Sequence, residues 1–105
     1  MKRCIKLLLS ISLFSLISCG AGHYYSRGVN LDDKGNYDEA VKNYDKAISI
    51  DPAFVNAYND RGVIFKNRKS YREALADFTK VIELNPKLAK AYINRGNCFF
   101  KPEKI

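Results

Sequence analysis

The chain has 105 residues, enough for one small domain. It carries 18 Lys and Arg against 11 Asp and Glu, a formal net charge of +7. Lys2, Arg3 and Lys6 supply three of those positive charges, so a net +4 remains from Cys19 onward. That balance permits weak attraction to anionic lipid or polymer and does not point to a nucleic-acid-binding protein.

The first element stands apart from the rest. After the basic start, Leu7 to Ile17 is a run of eleven uncharged residues. As a helix it would be about 17 Å long, well short of a bilayer core of about 30 Å. A basic start, a short apolar run and a small residue before a break fit a secretory signal peptide better than a membrane-spanning anchor. Of the three cysteines, Cys4 would leave with that signal. Cys19 and Cys98 are far apart and form no CxxC pair, so a disulfide framework is not expected. Leu16, Ile17, Ser18 and Cys19 together resemble the lipobox of bacterial lipoproteins. The resemblance implies residues 1–18 as signal peptide, cleavage after Ser18, and lipid transfer to the Cys19 sulfur. Acylation of the new amino terminus in many bacteria would follow. A thiolate is the best side-chain nucleophile for such a transfer. Each buried CH₂ of the lipid contributes about 0.8 kcal/mol, so two or three chains anchor firmly where one does not. Residues 19–23 would be a lipidated terminus with almost no tether. The protein would then be exported and lipid-anchored in the bacterial cell envelope, at the outer or the plasma membrane.

Beyond Cys19 the chain repeats. "YYSRGVNLDDKGNYDEAVKNYDKAISIDP" (24–52) aligns with "YNDRGVIFKNRKSYREALADFTKVIELNP" (58–86). Arg27-Gly28, Arg61-Gly62 and Arg95-Gly96 recur every 34 residues, as do Tyr24, Tyr58 and Tyr92. Tyr37 matches Tyr71, Ala40 matches Ala74, Tyr44 matches Phe78, and Pro52 matches Pro86. Such a period is the mark of stacked supersecondary units. Each unit reads as two helices. Val41, Tyr44 and Ile48 lie on one helical face, and Leu75, Phe78 and Ile82 repeat the spacing. Asp51-Pro52 and Asn85-Pro86 end the second helices. Lys34-Gly35-Asn36 makes the inner turn of the first unit, whereas Asn67 to Ser70 makes that of the second without glycine. In chain order, helices are predicted over 21–34, 37–51, 54–68, 71–85 and 88–101. Gly28, Gly62 and Gly96 fall inside helices, where glycine costs about 1 kcal/mol against alanine. Their recurrence predicts close approach of a partner helix, with Ala40 and Ala74 as the small residues opposite.

This pattern resembles the tetratricopeptide repeat over residues 21 to about 101. The resemblance implies an all-α, right-handed α-solenoid of helix-turn-helix units, about two and a half of them. The units would be 21–54, 55–88 and a partial third at 89–105. Two features depart from the family pattern: Val81 stands where Ala47 does, and Arg27, Arg61 and Arg95 stand where many members have Leu. The last helix can be a cap, or the chain can be a shortened version of a longer array. Tyr92, Phe99 and Phe100 would lack a partner helix, which predicts self-association through this helix.

No catalytic constellation is found, and the protein is expected not to be an enzyme or to bind a metal or other cofactor. There is no phosphate loop, no HExxH and no GxSxG. His23 is the sole histidine and has no ligand cluster around it. Cys98 reads as a buried thiol or, if exposed, as a possible cross-link between two chains. The basic stretch "KNRKSYR", 66–72, reads as a solvated turn or as a contact for anionic lipid or wall polymer.

The family resemblance implies an interaction scaffold, whose first helices line a concave groove for a peptide or a partner helix. The groove positions fall on Gly22, Tyr25, Val29 and Asp32, on Asn56, Asn59, Val63 and Lys66, and on Lys90, Ile93, Asn97 and Phe100. Family members that clamp a chaperone's terminal carboxylate use Lys, Asn, Asn, Lys and Arg at places falling on Tyr25, Val29, Asp60, Lys90 and Asn94. Only Lys90 agrees, so chaperone tails are not the expected ligand. The expected partners are a protein or peptide of the envelope and the membrane itself through Cys19, with no nucleic acid.

Overall fold

The turns between helices carry the repeat as plainly as the helices do. In the computed structural model, which describes residues 20–99, Asn36 N–H donates to Leu31 O at 2.8 Å and Ser70 N–H donates to Phe65 O at 2.8 Å. A second, inner bond accompanies each: Gly35 N–H to Asp32 O and Lys69 N–H to Lys66 O, both 3.0 Å. This pair of bonds closes a helix on a left-handed residue. Gly35 takes that place at φ +82°, and Lys69 takes it at φ +65°.

The resulting helices are α1 over residues 20–33, α2 Tyr37–Ile50, α3 Val55–Asn67, α4 Tyr71–Leu84 and α5 Ala89–Phe99. The predicted end of the last helix, at 101, lies outside the described residues; the other ends fall within one residue of the sequence-predicted ones. The described residues contain no strand and no helix long and apolar enough to cross a membrane. Residues 1–18, expected from sequence to be a signal peptide, Cys19 and Phe100 lie outside the described residues, as do the side chains of Lys90 and Phe99.

Local chemistry explains the boundaries. Asp38 and Glu39 in the first turn of α2, and Glu73 in that of α4, complement the positive end of the helix dipole. After α2, Asp51 Oδ1 accepts Ala53 N–H at 3.1 Å; after α4, Asn85 Oδ1 accepts Lys87 N–H at 3.4 Å. Each side chain thus holds the proline turn that follows its helix.

Helices α1, α3 and α5 lie side by side, while α2 and α4 form a second layer behind them. The Tyr25 hydroxyl reaches Asp60 across α1 and α3, and Lys66 Nζ reaches Asn94 Oδ1 at 3.3 Å across α3 and α5. Three buried clusters run through the stack. Ala21, Ala40, Tyr44, Ala47, Ala57 and Ile64 fill the first; Tyr58 and Val81 form the second; Ala74, Phe78 and Cys98 form the third.

The glycine expectation needs correction. A Cβ on Gly28 would come within 2.6 Å of the Tyr44 ring, and one on Gly62 within 2.8 Å of the Phe78 ring. The group opposite each glycine is therefore an aromatic ring, not Ala40 or Ala74. Tyr44 and Phe78 are fully buried, and only a missing side chain lets a ring lie flat against the neighbouring helix. Ala40 and Ala74 are also fully buried. Gly96 differs: no described side chain lies within 4 Å of its Cβ position.

Candidate functional site

The groove positions proposed from sequence fall on the layer formed by α1, α3 and α5. Asn56, Ile93 and Asn97 are exposed; Tyr25, Val29, Val63 and Lys66 are half-buried. Asn59 lies deeper, only 4 % exposed. Its Nδ2 donates to Asp60 Oδ1 at 3.4 Å, but its Oδ1 has no hydrogen-bond partner among the described residues. An unmatched buried acceptor costs about 1–3 kcal/mol, and this one is closed to solvent, so it is a local cost of packing α1 against α3.

Beside Asn59, a small polar network joins α1, α2 and α3. The Tyr25 hydroxyl donates to Asp60 Oδ2 at 2.6 Å, and the Tyr44 hydroxyl donates to Asp32 Oδ2 at 3.1 Å. The Tyr25 ring packs against Tyr44 and against Phe54, at centroid distances of 5.8 Å and 5.0 Å. Burial raises the Tyr25 phenol above its ordinary 10.0, and the bond to Asp60 raises it further. Burial likewise raises Tyr44, with the charges of Asp60 and Asp32 adding to it. Burial also lifts the Asp32 carboxyl above its ordinary 3.8; the Tyr44 bond opposes the rise, and repulsion from Asp60 and Asp33 supports it. A cleft of about 190 Å³ opens nearby, lined by Asp32, Tyr37, Val63, Ile64, Asn67 and Arg68.

The Tyr25–Asp60 bond bears on the ligand class. Both residues occupy places where carboxylate-clamping members of the resembled family carry cationic or amide groups. Here one of those places holds a carboxylate, and the other is a phenol already bonded to it. A partner's carboxylate arriving there would meet a negative charge.

Arg61 forms the main ionic junction, which sequence reading noted only as a departure from pattern. Its Nε and Nη2 donate to Asp77 Oδ2 and Oδ1 at 2.9 and 2.7 Å, and its Nη1 donates to Asp45 Oδ1 at 2.6 Å. One guidinium group from α3 is thus held by α4 of its own unit and by α2 of the preceding one. Asp77 is 4 % exposed, and a charge so buried requires a partner. Burial would lower the Arg61 pKa, but the bonds from Asp77 and Asp45 outweigh it and raise it. Burial raises Asp77, and the Arg61 bonds hold part of that rise back. The signal was present in the sequence as Asp45 and Asp77, sixteen residues to either side of Arg61. The same offset from Arg27 reaches Asn43, a neutral residue.

The remaining candidates are quickly placed. The basic turn 66–72 is partly engaged: Lys66 bonds Asn94, and Arg68 bonds Asp38. Cys98 is 4 % exposed against Ala74 and Phe78, and burial raises its thiol pKa. It is not an exposed thiol poised to cross-link two chains. His23 is exposed and stacks edge-on against Tyr24 at 5.5 Å. Among the described residues, no group of three His, Cys, Asp or Glu is placed to hold a metal ion.

Comparison with known proteins agrees with this architecture. A family model described as TPR repeat matches residues 31–69, and one described as Tetratricopeptide repeat matches residues 55–88. No curated protein matches the chain in sequence. Among solved structures, the N-terminal domain of stress-induced protein-1 (STI-1) from C. elegans has a TM-score of 0.75 at 24 % identity, over 80 % of this chain and 72 % of that one. The first TPR of Spaghetti (RPAP3), bound to the HSP90 peptide SRMEEVD, has a TM-score of 0.76 at 29 % identity, over 79 % of this chain and 66 % of that one. The TPR2B domain of yeast Sti1, in a complex with pHsp70, has a TM-score of 0.74 at 29 % identity, with the same coverage of each chain.

Proposed function

Taking as premise an all-α solenoid built of tetratricopeptide repeats, we propose that this protein is a non-enzymatic scaffold that holds a protein partner along the groove of α1, α3 and α5. The observation that carries the reading is the exposure of Asn56, Ile93 and Asn97 on that layer, with Tyr25, Val29, Val63 and Lys66 half-buried beside them. The two amides can donate to and accept from a peptide backbone, and Ile93 supplies apolar contact. Lys90 belongs to the proposed groove by its position in the repeat. Two neighbours of the same fold, the RPAP3 and Sti1 domains, are solved with HSP90 and Hsp70 ligands. This chain takes a different ligand, because Asp60 opposes an acidic tail such as that of SRMEEVD. The preferred partner offers amide, hydroxyl or cationic groups opposite Asp60.

The proposal places the scaffold in the bacterial envelope, anchored through lipid on Cys19 after removal of residues 1–18. The sequence Leu16-Ile17-Ser18-Cys19 supports this part, and the intact mass of membrane-extracted protein tests it. A mass equal to the full chain without acyl groups would refute the anchor. The groove is tested separately, by placing a photo-crosslinking residue at Asn56, Asn97 or Lys42. Adducts with a protein partner are expected from Asn56 and Asn97 and not from Lys42, which is on α2 with its side chain 70 % exposed. Adducts from Lys42 alone would place the contact on the opposite layer.

A further inference from the structure

The cleft of about 190 Å³ near the Tyr25–Tyr44 network carries an unbalanced charge. It lies between the two units, where the ends of α1 and α3 meet the start of α2. Its carboxylate is Asp32, half-buried near the end of α1. Asp32 Oδ2 accepts the Tyr44 hydroxyl at 3.1 Å, and no cation pairs with this carboxylate among the described residues. Asp60 is in a like state: its oxygens accept the Tyr25 hydroxyl and Asn59 Nδ2, again with no cation among the described residues. The two carboxylates repel each other. Arg68, the cation in the lining, is already bonded to Asp38. The other lining groups are apolar Val63 and Ile64, the Tyr37 ring, 47 % exposed, and the exposed Asn67 amide.

We infer that this cleft takes the side chain of a lysine from the protein partner, with its ammonium on Asp32 and its methylene stem along Val63 and Ile64. The inference rests on the groove reading, since Asp32 and Val63 are also groove positions, and it names one residue that the partner carries. Charge selects a cation: an anionic group would meet Asp32 with only a paired Arg68 to offset it. Size selects a single side chain. Sites for whole small molecules run to about 300–1,000 Å³, whereas 190 Å³ is about six water volumes. An apolar wall beside a carboxylate matches a side chain with an aliphatic stem and a charged tip. Lysine fits better than arginine. Tyr44 already occupies one oxygen of Asp32, which leaves the other for a single-point donor rather than for a fork. The Asn67 amide oxygen can accept a second ammonium proton, and the Tyr37 ring can face the charge.

The probe is Nα-acetyl-lysine methylamide, titrated into the complete chain and followed through the backbone amide resonances. The neutral norleucine analogue and the arginine analogue are run beside it. Saturable shifts are expected around Asp32, Tyr37, Val63 and Asn67, with lysine binding at least about tenfold tighter than norleucine. Asp32→Asn should weaken lysine binding by at least about tenfold. That variant keeps an acceptor for the Tyr44 hydroxyl and removes the repulsion from Asp60. It should therefore melt no lower than the parent chain, which separates a lost site from a lost fold. Tyr37→Leu should weaken binding about two- to fivefold. No saturable shift up to about 50 mM would overturn the proposal. So would equal binding of norleucine, tighter binding of arginine, or lysine binding untouched by Asp32→Asn. A homodimer in sedimentation that Asp32→Asn dissociates would assign the cleft to a second copy and overturn it equally. The crosslinks from Asn56 and Asn97 test the groove without this cleft, so either reading can fail while the other is read.

Discussion

Gly28, Gly62 and Gly96 occupy one place in the repeat and have three different surroundings. Tyr44 lies against the first, Phe78 against the second, and no described side chain against the third. Substitution should divide them accordingly. At Gly62 alanine gains about 1 kcal/mol of helix propensity but drives Phe78, fully buried, out of place, at about 1–3 kcal/mol. Gly62→Ala is therefore expected to lower the urea midpoint, and Gly96→Ala to raise stability by up to about 1 kcal/mol. Equal effects at the two sites would refute the packing account. Arg61 is the second decisive residue. Arg61→Ala leaves Asp77 buried and unpaired and should cost about 3 kcal/mol in equilibrium unfolding. Replacing Asp77 by Asn at the same time should recover part of that loss, since an amide needs no counter-charge. The sequence shows the glycines and the arginine but not what they face, because each partner lies about sixteen residues away on another helix.

The helices themselves were legible. Their alternation of apolar face and proline stop repeats at a fixed period, and this periodicity depends on local chain geometry alone. The inner turns were legible only by analogy. Gly35 announces its turn, whereas Lys69 adopts the same left-handed conformation with a side chain that disfavours it. The Ser70–Phe65 and Lys69–Lys66 backbone bonds hold it there. Lys69→Gly is accordingly expected to stabilise the protein by about 1 kcal/mol, measured by urea or thermal unfolding. Gly35→Lys should destabilise it by a similar amount. The candidate site was less visible than the helices. Groove positions could be assigned by their place in the repeat, but burial of Asn59 and the Tyr25–Asp60 bond depend on how adjacent units meet. A single unit's pattern does not contain that junction.

The molecule as a whole carries its polar network between helices, and this makes its stability sensitive to alkali. Tyr25 and Tyr44 both have folded-state pKa values raised above 10.0. The neutral phenol is thus favoured by folding. The stability it confers is complete below the ordinary value and declines as pH rises past it. Urea midpoints should begin to fall as pH passes about 9, where the buried Cys98 thiol loses its contribution, and fall further from about pH 10 towards pH 11. In the Tyr25→Phe, Tyr44→Phe variant the decline should be shallower, even if the variant is less stable at neutral pH. Identical slopes would remove these two hydroxyls from the account.

The three-way grip on Arg61 has a mechanical meaning. Successive second helices, α2 and α4, hold the same cation, Asp77 from a buried position and Asp45 from a half-exposed one. The two arms are therefore unequal: the half-exposed bond contributes about 0–1 kcal/mol and yields first when the spacing of α2 and α4 changes. A ligand that flexes the array would loosen the joint between units at Asp45 while each unit keeps its own inner clasp at Asp77.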